Sequence, residues 1–176
     1  MKQELREKFK IKRNFFGPVV REEAERHIAE YFLAAYGQYG SFFIYNSFGT
    51  EADTKEIISA LISSGKDVFL PRVEGKDIVA VPYGPQKKGA YGISEPQGQA
   101  SDVVPEVTVV PLLAVNGRGF RLGYGGGYYD RYLKNKNTLK VGLGFALQLT
   151  DEFVEDVWDE PLSAFVCERG IFHFEK

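Results

Sequence analysis

The run Arg121-Leu122-Gly123-Tyr124-Gly125-Gly126-Gly127-Tyr128-Tyr129-Asp130 carries the most pronounced chemical signal in the chain. Gly123, Gly125, Gly126 and Gly127 leave the backbone free to bend sharply and to bring bare N–H groups against an anion. The segment after them has the composition of a short helix, Tyr128 to Leu133, whose first N–H groups lack partners and carry partial positive charge. Arg121 adds a planar fork of donors suited to phosphate oxygens. Asp130, one turn into the helix, is placed to hold the Mg²⁺ that accompanies a nucleotide. No Gly-Lys-Ser/Thr follows, so this is not a Walker A loop. Tyr128 stands where the third glycine of a dinucleotide fingerprint would fall. The competing reading is a tight strand-to-helix turn that needs glycine only for packing.

Other residues could serve such a site. Lys2 and Arg6 lie on a stripe of an N-terminal helix that Lys10 and Arg13 continue, which on its own is the pattern of a solvated face. Asn46 and Glu51 lie in a polar loop, where Glu51, Thr50 or Asp53 could cap the next helix. Asp159 belongs to an acidic stretch with Asp151, Glu152, Glu155, Asp156 and Glu160. Tyr128 and Tyr129 are adjacent on a helix and cannot face the same way; Tyr128 is assigned to the site and Tyr129 to packing. Cys167 is the one cysteine and lies in the apolar run Ala164-Phe165-Val166-Cys167, as a small buried hydrophobe does. His27 and His173 are not at metal-ligand spacing with it, so zinc chemistry and a Cys–His pair have no support.

Positioning these residues requires a core, and 176 residues suffice for one domain, 1–176. A net charge of −2 gives no global electrostatic case for nucleic acid. The N-terminus lacks the apolar stretch of a signal peptide, no apolar run approaches the roughly 18 residues that span a bilayer, and cysteine usage suits a reducing compartment. These features predict a soluble cytoplasmic protein with no membrane or nucleic-acid partner.

The apolar periods predict a first helix with Leu5, Phe9 and Phe16 near one face. Gly17-Pro18 ends it, and a second helix from Pro18 buries Val20, Ala24, Ile28, Phe32 and Ala35 before Gly37. Ser41 to Tyr45 and Asp67 to Leu70 read as strands covered on both faces, joined by a helix bearing Ile57, Ile58, Leu61 and Ile62 and closed by Gly65. That is a right-handed βαβ unit. Strands are further predicted at Asp77 to Val81, Val107 to Val110 and Leu139 to Phe145, with one or two more within Ala164 to Phe174. Gly84 to Ser101 has no period and reads as a loop, a candidate lid. The expected fold is α/β, a single layered domain with a mainly parallel central sheet flanked by helices.

Val110-Pro111-Leu112-Leu113-Ala114 followed by Gly119-Phe120 and the run from Arg121 to Arg131 resembles the signature of the 5-formyltetrahydrofolate cyclo-ligase family. Lys2 with Arg6, Glu51 with Thr54, Gly92-Ile93-Ser94-Glu95-Pro96, Gln148 and Asp159 are similar to further family positions, in the same order along nearly the whole chain. The resemblance implies ATP-dependent closure of 5-formyltetrahydrofolate to 5,10-methenyltetrahydrofolate, with Mg²⁺ as cofactor and ATP as co-substrate. It implies ATP contacts from Lys2, Arg6, Arg121, Leu122, Gly123, Tyr124, Gly125, Gly126, Gly127, Tyr128 and Tyr129. Folate contacts are implied for Asn46, Glu51, Tyr124, Gly125, Gly126, Gly127 and Tyr128, metal contacts for Asp130 and Asp159, and catalytic roles for Arg121, Tyr128 and Asp130. Many family members carry arginine at the place of Tyr124 and histidine at that of Trp158. The expected assembly is a monomer or small homo-oligomer. A phosphoryl transferase with another small substrate, or a non-catalytic folate- or nucleotide-binding relative, is the alternative.

Overall fold

The computed structural model describes residues 1–175. Strand β1 (Ser41–Ile44) is an inner strand of a seven-stranded sheet. It pairs in parallel with β2 (Asp67–Glu74) on one side and β6 (Val107–Val110) on the other. Parallel pairing continues from β6 to β9 (Leu139–Leu143) and on to β10 (Ala164–Cys167). Antiparallel edges are supplied by β3 (Asp77–Pro82) against β2 and β11 (Gly170–His173) against β10. The expected mainly parallel α/β sheet is therefore present.

Continuous apolar strands follow from coverage on both faces, because successive side chains point to opposite sides. Phe42 and Ile44 join the core beneath α2 (Pro18–Tyr36) and α3 (Lys55–Ser63). Phe43 points the other way, with its ring centroid 4.6 Å from that of Tyr132 and 6.3 Å from that of Tyr129, both on α4 (Tyr128–Leu133). The expected βαβ unit is β1, α3 and β2, and Gly65 ends α3 at a φ of 75° that glycine tolerates.

Helix α1 (Lys2–Lys12) buries Leu5 and Phe9 against Leu113, Ala114, Leu122 and Phe153. Its platform is the short antiparallel pair β7 (Ala114–Val115) and β8 (Arg121–Leu122).

Several boundaries depart from expectation. Phe16 lies beyond α1 and packs tilted against Phe145, with ring centroids 4.8 Å apart. Val20 is 57% exposed, whereas the guanidinium of its neighbour Arg21 lies over the Phe145 ring, 4.9 Å from its centroid. Gly84 to Ser101 is not structureless: β4 (Gln86–Lys88) and β5 (Ser94–Pro96) form a hairpin, with a turn of 3₁₀ helix at Ala90–Gly92. Its strands are too short and too polar to leave an apolar period. β9 stops at Leu143, short of Phe145, whereas β2 runs to Glu74 because β3 pairs along its length.

Candidate active site

A cleft of about 1100 Å³ opens where the loops after β1 and β6 meet α1 and the glycine run. Seven lysine and arginine side chains and five acidic ones line it, an excess of positive charge in a chain whose net charge is −2. A single small-molecule site usually occupies roughly 300–1,000 Å³, so this cleft has room for two ligands side by side.

The glycine run forms its floor. Gly125 and Gly127 have φ of 101° and 69°, in the left-handed region. Gly123 and Gly126 are constrained by closeness instead: a Cβ would lie 2.6 Å from Arg121 Nη1 at the first and 2.6 Å from the Tyr128 ring at the second. Gly127 is the N-cap of α4, so the turn delivers the free N–H groups of a helix start to the cleft. From α1, whose opposite side is pinned by Leu5 and Phe9, Arg6 Nε donates to the carbonyl of Gly123 at 2.9 Å. Its guanidinium stands 3.4 Å from where a Gly125 Cβ would be. Lys2 Nζ pairs with Asp156 and lies 3.7 Å from Asp159 Oδ2. Asp156 N–H donates to that same Asp159 oxygen at 2.8 Å. Trp158, between the two acids, lines this end of the cleft and is 69% exposed.

Arg121 sits under the loop rather than reaching out of it. Its side chain is 6% exposed, Nη2 is 3.2 Å from Asp130 Oδ2, and the guanidinium lies 5.5 Å from the Tyr129 ring centroid. Asp130 Oδ1 accepts the Glu160 N–H at 3.3 Å. The Leu122 side chain is buried in the α1 contact and its carbonyl accepts the Leu113 N–H. Tyr129 packs on Phe43, while the Tyr128 ring stands beside Gly126 and its hydroxyl is 3.3 Å from that of Tyr91.

At the opposite end, Asn46 Nδ2 donates to Gln86 Oε1 at 2.7 Å and to the Ser94 carbonyl at 3.0 Å, tying the loop after β1 to the β4–β5 hairpin. Glu51 Oε2 accepts the Phe48 N–H at 2.8 Å, and Oε1 accepts the Tyr124 hydroxyl at 2.8 Å. At the start of α3, whose N-cap residue is Thr54, the Lys55 N–H is accepted by Asp53 and not by Glu51 or Thr50. Burial pushes the Glu51 carboxyl up, opposed by the Phe48 N–H, the Tyr124 hydroxyl and the Arg13 charge. Burial also raises the Tyr124 phenol, reinforced by Glu51, and raises that of Tyr129. Both phenols are therefore neutral donors at ordinary pH.

Two residues here were not among the expected site residues. Arg13, the last of the basic stripe, is 3% exposed, and its Nη1 donates to the Tyr124 hydroxyl at 2.9 Å. Its spacing marks it out, but not its burial. Tyr91 has a φ of 57°, uncommon for a bulky residue, and projects from the hairpin toward Tyr128. The adjoining Gly92 was the available hint.

The 5-formyltetrahydrofolate cyclo-ligase family model matches residues 1–168. The chain belongs to this family. It is 35% identical over 144 residues to the 5-formyltetrahydrofolate cyclo-ligase of Escherichia coli strain K12, covering 74% of this chain and 79% of that protein. Identity to the Haemophilus influenzae cyclo-ligase is 34% over 132 residues, covering 68% and 71%. The solved structure of Aquifex aeolicus 5,10-methenyltetrahydrofolate synthetase superposes with a TM-score of 0.88 at 28% identity, covering 99% of this chain and 93% of that one. A Mycoplasma pneumoniae 5,10-methenyltetrahydrofolate synthetase, 21% identical, shares the fold with a TM-score of 0.75. The curated relatives are named as ligases, and this member of the cyclo-ligase family is an enzyme of that class. Among the described residues, no helix is long and apolar enough to cross a membrane.

Proposed function

We propose that this chain, as one domain, closes 5-formyltetrahydrofolate to 5,10-methenyltetrahydrofolate while converting ATP to ADP and phosphate. The observation that carries the reading is one large cleft in which two groups of residues meet the glycine run. Lys2 and Arg6 of α1 stand with Asp159, and Asn46 and Glu51 of the loop after β1 stand with Tyr124. A triphosphate suits the first group and a pterin with N–H donors the second.

The formyl oxygen of an N-formyl group is a poor leaving group. Transfer of the γ-phosphoryl group to it forms a C–O–P linkage and releases ADP. The neighbouring folate nitrogen then attacks the activated carbon, loses its proton to solvent, and phosphate departs with the C–O electron pair as the methenyl bridge forms. Phosphoryl transfer asks mostly for in-line positioning and charge neutralisation. The bare N–H groups of Gly125 to Tyr128, with Lys2 and Arg6, supply both. Arg121 acts from beneath, holding the loop and adding positive charge. Tyr124, Gly126 and Tyr128 lie where the two ligands meet.

Mg²⁺ fits this donor set as a companion of the nucleotide. No cluster of three or more His, Cys, Asp or Glu side chains able to cage an ion is found among the described residues. Mg²⁺ characteristically takes one or two carboxylates, with phosphates and water completing its shell. Asp159 would be one, with Asp130 the second, and the ion would supply charge neutralisation at the phosphates.

The test is the near-ultraviolet absorbance of the methenyl product on mixing protein, 5-formyltetrahydrofolate and MgATP. A rise is expected that vanishes without ATP. Folded protein giving no product would sink the proposal. ATP hydrolysis dependent on a different small molecule would redirect it to another phosphoryl transfer.

A further inference from the structure

Arg13, Tyr124 and Glu51 form a hydrogen-bonded chain whose direction is fixed by chemistry. A guanidinium has no acceptor, so the bond between Arg13 Nη1 and the Tyr124 oxygen at 2.9 Å must run from arginine to tyrosine. The Tyr124 proton is then free for Glu51 Oε1, 2.8 Å away. The other oxygen, Oε2, already accepts the Phe48 N–H. Both carboxylate oxygens are thereby acceptors, with lone pairs left over for a ligand.

Arg13 is an expensive residue to bury. It is 3% exposed, makes no salt bridge to a described residue, and its Nε lacks a hydrogen-bond partner among them. Its remaining side-chain bond, Nη1 to the Leu112 carbonyl, is long at 3.3 Å. Tying a helix end to a loop would not call for a buried full charge. A chain that must polarise a hydroxyl toward a carboxylate does.

We propose that Arg13 is the positioning residue of the folate end of the cleft, acting through Tyr124 to hold Glu51 as a two-oxygen acceptor for a ligand presenting paired N–H donors, as a pterin edge does. This rests on the proposed function. It adds a residue outside the expected site and gives Tyr124 a role that an arginine in its place could not share, since arginine cannot relay a proton donor from one cation to a carboxylate.

The experiment compares Arg13→Met, Tyr124→Phe and the double variant in the methenyl-forming assay. Each single variant raises the KM for 5-formyltetrahydrofolate by roughly 10- to 100-fold, the loss of a hydrogen bond to a charged group. The KM for ATP stays within about 3-fold, the margin left for indirect effects between separated sites. The double variant is no worse than the poorer single one, because the two residues act in series. Additive losses, or equal rises in both KM values, would overturn the proposal. If Arg13→Met does not fold, Tyr124→Phe decides alone: Tyr124 is 45% exposed and loses only an oxygen. An unchanged folate KM there would be fatal.

A second arm needs no turnover. The ¹³C resonance of the Glu51 carboxylate is titrated in the unsubstituted chain and in Tyr124→Phe. The charged and titratable groups around Glu51 are Arg13 from α1, Arg21 from α2, whose Nη2 donates to the Glu51 carbonyl, Tyr124 from the glycine run, Tyr45 after β1 and Tyr129 from α4. Removing the Tyr124 donor moves the titration to higher pH, and no movement would refute the relay. Should the unsubstituted chain make no methenyl product, the proposed function fails and this arm still judges the inference.

Discussion

Asp130→Asn separates what the buried ion pair does for the fold from what it does for the reaction. The carboxylate is 3.2 Å from a guanidinium whose side chain is 6% exposed, and whose Nε has no hydrogen-bond partner among the described residues. Removing one partner of a buried pair costs about 3–5 kcal/mol. Two features lower that here. Asp130 is 21% exposed, and asparagine keeps an amide oxygen that can turn toward Arg121. A value of about 2 kcal/mol remains, which for a chain of this size lowers Tm by about 4–8 °C. At 25 °C the variant stays folded, so unfolding does not account for lost rate. If Asp130 serves the nucleotide, kcat/KM falls by about 100-fold, equivalent to about 2.7 kcal/mol of transition-state stabilisation. Scanning calorimetry and the methenyl assay on the same preparation measure the two losses. A Tm drop of this size with kcat/KM within about 3-fold of the parent would leave Asp130 as a purely structural partner of Arg121. An unchanged Tm would refute the energetic argument itself.

Gly125→Ala places a Cβ at a φ of 101°. It should cost about 1–3 kcal/mol in thermal unfolding and raise the KM for ATP, since the strained backbone of the loop must shift the N–H groups it presents; unaltered stability would show that the loop relaxes freely. Arg118 holds the Glu155 carboxyl down to about 2, from 4.5. A depressed acid stabilises above its unfolded value and loses that contribution as pH falls through its folded one. The Tm gap between the parent and Arg118→Ala should therefore be present at neutral pH, close between about pH 5 and 2, and shrink in high salt. A gap that widens in acid would contradict this sign. Protease cleavage within Gly84 to Ser101 should slow when both ligands are added, because the hairpin brings Tyr91 to Tyr128. Unchanged cleavage would leave the hairpin without a closing role.

The inner strands of the sheet were legible because they are covered on both faces and therefore continuously apolar, as Phe42, Phe43 and Ile44 illustrate. The start of α4 at Tyr128 could be read from the glycines before it. The hairpin β4–β5 could not: it belongs to no core, so its sequence carries no apolar period. Within the cleft, residue types were readable but pairings were not. Arg121 and Arg13 both look like exposed cations along the chain, and only tertiary packing reveals that each is buried with one specific partner. The contribution of Lys8, which pairs with Glu152 and helps strap α1 to the acidic stretch, depends equally on a contact far apart in sequence.

The position of the cleft has a topological cause with a testable consequence. From β1 the chain winds outward through β2 and β3 on one side, and through β6, β9 and β10 on the other. The loops leaving β1 and β6 therefore diverge, opening a crevice at the carboxyl ends of the strands. Asn46 and Glu51 enter it from the first loop, held by the body of the sheet. Lys2 and Arg6 do not. They ride on α1, which is fastened by Leu5 and Phe9 to β7–β8 and Phe153. Loosening that fastening should then disturb the Lys2 and Arg6 half of the cleft more than the other, which α1 reaches only through Arg13. Phe9→Ala removes a fully buried ring and costs about 3–5 kcal/mol, which a domain of 5–15 kcal/mol total stability survives at low temperature. Measured at 10 °C, the KM for ATP should rise about 10-fold, the equivalent of one charge-assisted hydrogen bond from a displaced Arg6. The KM for the folate should rise less, because Asn46 and Glu51 are carried by the loop after β1 and depend on α1 only through Arg13 at its end, which the Leu112 carbonyl also holds. Equal increases in the two would mean that α1 supports the cleft as a whole, and the division of labour between helix and sheet would have to be abandoned.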